Sequence, residues 1–91
     1  MEKELAIQIG KTLKEVRRKK PLIHHITNYV TVNDCANIVL ATGSSPIMAD
    51  DIDEVEAITS ISAALVLNIG TLNRRTVESM LAAGKKANTL N

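Results

Sequence analysis

A chain of 91 residues holds at most one domain, and a domain of this size buries little more than half of the surface that its unfolded chain exposes. Hydrophobic residues make up 45% of the chain and charged residues 23%, which is a globular composition and not that of a disordered protein. The net charge of +1 and the single aromatic residue, Tyr29, argue against general binding of nucleic acid or membrane surfaces.

Cysteine content and hydropathy indicate where such a chain works. Cys35 is the only cysteine, so an internal disulfide is impossible. The N-terminus lacks the apolar segment of a signal peptide, and no apolar run approaches the length of a membrane span. We therefore expect a cytoplasmic protein without a membrane partner.

The chain begins with a predicted helix and a predicted strand. Apolar residues at helical spacing predict a helix over residues 4–18, and Pro21 prevents its continuation because proline lacks an N–H. Residues 22–26 form a short apolar run that predicts a strand. Residues 27–29 are expected to form a polar turn after it.

A second helix and a second strand are predicted next. Thr31, followed by Asp34 three residues later, resembles a capping box and predicts the start of the helix. Gly43 is expected to end it, since glycine tolerates the left-handed conformation common after a helix. Residues 45–49 predict a weaker strand, because Pro46 restricts pairing to an edge or a strand start.

The remaining third of the chain predicts a helix, a strand and a helix. Asp50, Asp51 and Asp53 predict a helix start, because negative charge is favoured there. Residues 64–69 are nearly all apolar and predict a buried parallel strand, after which Asn73 can cap a last helix. The positions expected to face inward on the four helices are Leu5, Ile9, Leu13, Val16, Val32, Cys35, Ala36, Val39, Leu40, Val55, Ile58, Ile61, Val77, Met80, Leu81 and Ala87.

The element order α-β-α-β-α-β-α predicts an α/β fold in which helices cover a parallel sheet. Residues 1–91 are expected to form a single, partial domain, because three strands make only half of a doubly wound sheet. The strands at its edges would then be unpaired. Either another chain or further sequence is expected to cover them.

Three polar clusters follow the three predicted strands. In open α/β sheets ligands bind at the carboxyl ends of the strands, so these clusters predict a small-molecule site at one rim. Taken singly, each of these residues is better explained by a turn, a helix start or core packing than by a ligand. The clusters are His25, Thr27 and Asn28; then Met48, Ala49, Asp50 and Asp51; then Asn68, Gly70 and Thr71.

Several residues with chemical potential have simpler interpretations. His24 and His25 are neighbours on a strand and face opposite sides, which argues against a metal site and predicts one core histidine and one near the rim. The basic run 17–20 suits a helix C-terminus, with polyanion binding as the alternative. Cys35 is expected to be buried and not a nucleophile. The four glycines lie too far apart for a dinucleotide fingerprint or a P-loop.

Four blocks of sequence, in this order and spacing, resemble the hydroxyethylthiazole kinase family. Together they extend over most of the chain, which makes the combination specific, whereas any one block would be weak. The blocks are Pro21-Leu22-Ile23-His24-His25-Ile26-Thr27-Asn28-Tyr29-Val30-Thr31-Val32-Asn33-Asp34, Ser45-Pro46-Ile47-Met48-Ala49-Asp50-Asp51, Asn68-Ile69-Gly70-Thr71-Leu72 and Ala83-Gly84-Lys85-Lys86-Ala87-Asn88.

The resemblance implies a ribokinase-like fold and a homotrimer with active sites between subunits. It also implies that ATP and Mg²⁺ serve to phosphorylate the hydroxyethyl group of 4-methyl-5-(2-hydroxyethyl)thiazole, which is salvaged for thiamine. The family methionine that contacts the thiazole corresponds to Met48, with Asn28 and Val30 as neighbours. Asn68 and Gly70 occupy the matching rim of the third strand. An apolar wall with a few polar groups suits such a ring.

The chain departs from the family pattern in two ways. His25 stands where the family usually has asparagine, and the family's glycine-rich catalytic segment and its cysteine lie beyond these residues. We therefore expect no catalytic residue and no metal ligand in residues 1–91, no binding of ATP or Mg²⁺ by this portion, and no catalysis by it alone. The alternative is a truncated, non-catalytic module that binds thiazole or a partner.

Overall fold

The computed structural model describes residues 1–90 and has the alternating α/β order that the sequence predicts. Four helices and three strands follow one another, and the described chain has no cis peptide bond. The elements are α1 (Glu2–Lys19), β1 (Leu22–Ile26), α2 (Val32–Ala41), β2 (Ser45–Ile47), α3 (Val55–Ile61), β3 (Ala64–Leu67) and α4 (Arg74–Asn88).

The three strands form one parallel sheet in the order β2-β1-β3. β1 lies in the centre, with His24 opposite Ile47 on one side and Leu65 on the other. Pro46 is tolerated because β2 is short and pairs on one side only. β3 is also at an edge, and Val66 is 42% exposed, so the prediction of a buried strand is wrong for residues 1–90.

Helices lie on both faces of the sheet, in agreement with the predicted α/β fold in which helices cover a parallel sheet. On one face Ile26 packs with Val55 of α3 and with Met80 and Ala83 of α4 in a fully aliphatic core. On the other face Ile23 borders an apolar groove of about 590 Å³ between β1, α1 and α2. The alternation of side chains along β1 therefore assigns its even-numbered residues to the α3–α4 side and its odd-numbered residues to the α1–α2 side.

Five of the positions expected to face inward are exposed instead. Leu5 is 56% exposed, Ile9 59%, Leu40 57%, Ile61 67% and Leu81 60%, so the prediction is wrong for each of them. Leu5 and Ile9 border the open groove beside α1, and helical spacing groups residues on one face without saying how much of that face is buried. The central residues of the same stripes, such as Val55 and Met80, are buried as predicted.

The end of α1 is held by two left-handed residues. Lys20 caps the helix at φ 48° and donates its backbone N–H to the Val16 carbonyl over 2.8 Å. Gly43, which follows α2 at φ +94°, lies directly against Arg17; a Cβ there would be 2.7 Å from Arg17 Cγ. Gly43 is therefore required both by its φ and by the close approach of α1.

Candidate functional site

Polar side chains from the ends of β1 and β3 meet at the carboxyl rim of the sheet. Asn68, just after β3, donates from Nδ2 to the Thr27 hydroxyl over 2.9 Å, although the two residues are 41 positions apart. Thr27 is 4% exposed and shares a second hydrogen bond of 3.1 Å with the Thr31 hydroxyl. Thr27 is thus the buried centre of the rim. The sequence analysis had listed it only as a member of the first of three polar clusters.

The turn between β1 and α2 is stabilised by Asn28 and not by the predicted capping box. Asn28 Oδ1 accepts hydrogen bonds from the backbone N–H of Thr31, at 3.0 Å, and from its hydroxyl, at 3.1 Å. The Thr31 hydroxyl is engaged in this way, and its side chain makes no cap to α2, so the prediction of a Thr31–Asp34 box is wrong. Val30, at the tip of this turn, is 91% exposed.

Met48 lies beside a small recess next to Thr27. The recess has a volume of about 20 Å³, which is room for about one water-sized group. Its wall combines apolar groups with a few polar ones, as small-molecule sites commonly do. The residues that line it are His25, Thr27, Tyr29, Val32, Met48 and Asp50.

The two histidines of β1 have opposite surroundings, as predicted. His24 is fully buried on the α3 side, with Nε2 2.7 Å from the Ala49 carbonyl and Nδ1 2.9 Å from the Thr59 hydroxyl. His25 is 7% exposed and lines the recess, and its Nδ1 has no hydrogen-bond partner among the described residues. Burial lowers the pKa of His25, and the neighbouring His24 lowers it further, so its imidazole is neutral at physiological pH.

Asp50 is paired with an arginine that the sequence analysis did not single out. Both guanidinium Nη atoms of Arg75 reach the Asp50 carboxylate, at 2.9 and 3.3 Å, and one of them also donates to the Tyr29 hydroxyl. The hydrogen bond from Arg75 lowers the pKa of Asp50, against the effect of burial. Asp50 is therefore an ionised partner of α4 and not the start of α3, which begins at Val55.

One signal in the sequence pointed to Arg75. A cation in the first turn of a helix is disfavoured by the helix dipole, so Arg74 and Arg75, directly after the Asn73 cap, were both positions where a nearby anion would be favourable. The sequence did not indicate that the anion of Arg75 is Asp50, because the two residues are 25 positions apart.

Of the five residues proposed to contact a substrate, three lie around Thr27 and two do not. Met48 lies across the recess from Thr27, while Asn28 and Asn68 flank it through the hydrogen bonds described above. Val30 and Gly70 are exposed at the tips of their turns, and Gly70 is tied to the rim only through its N–H to Asn68 Oδ1, at 3.0 Å.

The remaining candidates have structural surroundings. Cys35 is half-buried and its thiol donates to the Thr27 hydroxyl over 3.9 Å, so it packs beneath the rim. Within residues 1–90, no three acidic, histidine or cysteine side chains are grouped so as to hold a metal ion. Over the same residues, no helix has the length and apolar character needed to cross a bilayer.

Comparison with known proteins identifies the family. The sequence model of the hydroxyethylthiazole kinase family matches residues 13–91, which include β1, the rim and Met48. The chain belongs to the hydroxyethylthiazole kinase family. The resemblance carried by the four sequence blocks is thereby confirmed.

Individual relatives agree with this assignment. Hydroxyethylthiazole kinases from Clostridium beijerinckii and Ruminiclostridium cellulolyticum are 71% and 72% identical to this chain over 91 and 85 residues. A solved hydroxyethylthiazole kinase structure from Pyrococcus horikoshii OT3 superposes with a TM-score of 0.84 at 45% identity, covering 88% of this chain and 32% of that one. The α/β, ribokinase-like fold is confirmed with it.

The match covers only part of each relative. The chain spans 33% of the length of the Clostridium beijerinckii kinase and 31% of the Ruminiclostridium cellulolyticum kinase. It corresponds to their N-terminal third.

Proposed function

We propose that residues 1–91 form the N-terminal, thiazole-side part of a hydroxyethylthiazole kinase, which transfers phosphate from ATP to the hydroxyethyl group of 4-methyl-5-(2-hydroxyethyl)thiazole. The observation that carries the proposal is the family match over residues 13–91, which includes the whole rim at the ends of β1, β2 and β3. Relatives with this name are 71% and 72% identical over 91 and 85 residues.

In this proposal the rim binds and orients the thiazole. Met48 supplies an apolar surface next to the recess, and Asn28 keeps its amide nitrogen available, since only its oxygen is engaged in the turn among the described residues. Val30, exposed at the same turn, is proposed as a further apolar neighbour of the ring. Asn68 acts indirectly, because both ends of its amide are engaged with Thr27 and Gly70.

Gly70 contributes by lacking a side chain. A Cβ at this position would lie 3.2 Å from Asn68 Oδ1, so a larger residue would push against the amide that holds Thr27. Glycine here keeps the turn after β3 close to the rim.

The residues described do not fit ATP or Mg²⁺. Within residues 1–90 no acidic cluster can hold a metal ion, and the glycines at 10, 43, 70 and 84 do not form a phosphate-binding loop. The proposal therefore assigns phosphoryl transfer, its catalytic residues and both cofactors to the part of the complete protein outside this chain. It includes a homotrimeric assembly, and a cytoplasmic location, where ATP is supplied.

The test is ATP-dependent phosphorylation of hydroxyethylthiazole by the complete protein, with residues 1–91 alone as the comparison. The complete protein is expected to form the phosphate ester, and the 91-residue chain is expected to form none. Absence of product from the folded complete protein would refute the proposed function. Product from the 91-residue chain would refute the assignment of phosphoryl transfer to residues outside this chain.

A substitution at Met48 tests the role of the rim. Met48→Ala in the complete protein is expected to raise KM for the thiazole by about tenfold, because an apolar contact with the ring is lost. The kcat value should change much less. Leu81→Ala serves as the matched control, since Leu81 is an exposed apolar residue on α4 outside the rim. An unchanged KM for Met48→Ala would remove Met48 from the site.

A further inference from the structure

Helix α4 holds the segment that carries Met48. This Met48 segment, residues 48–51, follows β2 and belongs to no helix or strand. Within it, the Asp50 backbone carbonyl accepts a hydrogen bond of 2.6 Å from the Ser79 hydroxyl, although the two residues are 29 positions apart. Ser79 is fully buried on α4. A buried hydroxyl of a helix is thus engaged with the backbone of an irregular segment at the rim.

Ser79 acts beside a second buried side chain that holds the same segment. The Ala49 carbonyl lies 2.7 Å from Nε2 of His24, which is fully buried on β1. The next carbonyl, that of Asp50, is held by Ser79. Two consecutive peptide groups are therefore tied to two different elements. Because peptide groups are planar, only the rotations about the Asp50 backbone bonds remain between them. The backbone directly after Met48 is fixed in this way.

Beyond Asp50 the chain leaves the core. Residues 51–54 are exposed, and the next buried position is Val55, at the start of α3. Without its contact to α4, Asp50 would be free to move with this exposed turn. Arg75 on α4 also holds the Asp50 carboxylate, but its side chain is 49% exposed, and exposed ion pairs contribute little to stability. The buried hydrogen bond from Ser79 is therefore the stronger constraint.

We propose that Ser79 is a positioning residue of the thiazole site, whose hydroxyl holds the Asp50 carbonyl and thereby fixes the Met48 side chain at the recess. This inference rests on the proposed function, in which Met48 contacts the ring. The residues that line the recess do not include Ser79, so it acts through the segment that it holds. A gap of about 0.5–1 Å would already remove about a quarter to a half of the dispersion attraction between Met48 and the ring.

The test is a double-mutant cycle with Met48 in the complete protein. Ser79→Ala alone should raise KM for hydroxyethylthiazole by about three- to tenfold and change kcat much less, because the lost hydrogen bond displaces an apolar contact with the substrate. In the Met48→Ala background the same substitution should change KM by less than about twofold, because the contact that Ser79 positions is already absent. An equal fold-increase in both backgrounds, or no increase in the wild-type background, would overturn the proposal.

Ala83→Gly is the matched control for a general loss of stability. Ala83 is fully buried one turn further along α4, in the aliphatic core, and glycine in its place weakens the helix. This variant should unfold at a lower urea concentration than the wild type and keep the wild-type KM. If Ala83→Gly raised KM as much as Ser79→Ala does, the effect would belong to the stability of α4, and the proposal would be wrong.

A spectroscopic readout does not depend on catalysis. In the complete protein with ¹³C-labelled methionine methyl groups and no substrate, Ser79→Ala should shift or broaden the Met48 resonance. Ala83→Gly should affect Met80, which packs with Ala83, and leave Met48 unchanged. An unchanged Met48 resonance in Ser79→Ala would overturn the proposal whether or not the protein is active. Absence of product from the wild-type protein would refute the proposed function, and the role of Ser79 with it, even where the spectra agree.

Discussion

His24 joins three parts of the fold through a single buried ring. Its Nε2 lies 2.7 Å from the Ala49 carbonyl, which can only accept, so Nε2 carries the proton and Nδ1 accepts from the Thr59 hydroxyl at 2.9 Å. The central strand β1 is thereby tied to the segment after β2 and to α3. The Ala49 segment contains Met48 and Asp50, so His24 positions one side of the rim without contacting it.

We expect His24→Leu to destabilise the complete protein by about 2–4 kcal/mol, because a buried carbonyl and a buried hydroxyl would both lose their partners. His24→Gln is the matched control, since the glutamine amide can still donate to Ala49. Urea denaturation followed by circular dichroism measures the difference. Equal stability of the two variants would show that the hydrogen bonds of His24 contribute nothing beyond its volume.

His25 makes the stability of the fold depend on pH in a defined direction. Its pKa in the folded protein is lowered from the ordinary value of 6.5, so the unfolded chain binds more protons in mildly acidic solution. The contribution is fully present above pH 6.5 and is lost as the pH falls toward and through the folded value. The slope is at most about 1.4 kcal/mol per pH unit, the value for one proton.

The thermal midpoint of the wild-type protein should therefore fall more steeply between pH 7.5 and pH 5.5 than that of His25→Asn, which does not titrate there. Differential scanning calorimetry of both proteins in the same buffers measures this. Parallel curves for the two proteins would mean that His25 has the same pKa in the folded and unfolded states.

At the level of elements, the sequence predicted where helices and strands begin and end better than it predicted how they pack. β1 begins and ends where the sequence placed it, because Pro21 and a polar turn bound a short apolar run. The Asn73 cap of α4 is present as predicted, with Thr76 completing it. Local chemistry decides such boundaries. The exposure of Ile61 and the edge position of β3 depend on which distant segments pack against them. Hydrophobic periodicity along the chain carries no information about those segments.

The turn between α2 and β2 offers a sharp test of one such boundary. Gly43→Ala should cost about 1–2 kcal/mol, the price of a left-handed conformation for a residue with a Cβ, and the contact with Arg17 adds to it. Gly10→Ala is the matched control, because Gly10 lies in the middle of α1 and nothing is within 4 Å of its would-be Cβ.

That control should instead stabilise the protein by about 0.5–1 kcal/mol, since alanine favours helix over glycine. Chemical denaturation of both variants gives the two values. If Gly43→Ala were neutral, α1 would not be held against this turn in solution.

The whole molecule is less compact than a domain of its length usually is. Its radius of gyration is 14.3 Å, against about 12 Å for a globular chain of this size. The reason is α1, which has no buried residue and stands away from the sheet across the apolar groove. Together with the free edge of β3, this leaves much apolar surface in contact with solvent.

We expect residues 1–91, expressed alone, to bind a hydrophobic dye such as anilinonaphthalene sulfonate and to self-associate. Under the proposed function the complete protein should bind far less dye, because its additional residues are expected to cover the groove and the β3 edge. Fluorescence titration at equal molar concentration makes the comparison. Equal dye binding by the two proteins would mean that these surfaces stay open in the complete protein.

The meeting of the polar clusters at one rim was predictable, but the hydrogen bonds between them were not. Alternating helices and strands placed three polar clusters on one rim, and Asn68 and Thr27 do meet there. The Asp50–Arg75 pair and the unpaired Nδ1 of His25 were not foreseen. Both depend on side chains brought together across the sheet, and a linear pattern does not specify those distances.

Tyr29 is the only aromatic residue of the 91, and it stands at the rim with the Arg75 guanidinium 5.8 Å from its ring centroid. The near-ultraviolet absorbance and intrinsic fluorescence of this segment therefore come from one chromophore, located at the rim of the sheet. Its emission should respond to rearrangement of the Arg75–Asp50 pair without any label. The sparse aromatic composition thus gives the segment a built-in optical reporter of its rim.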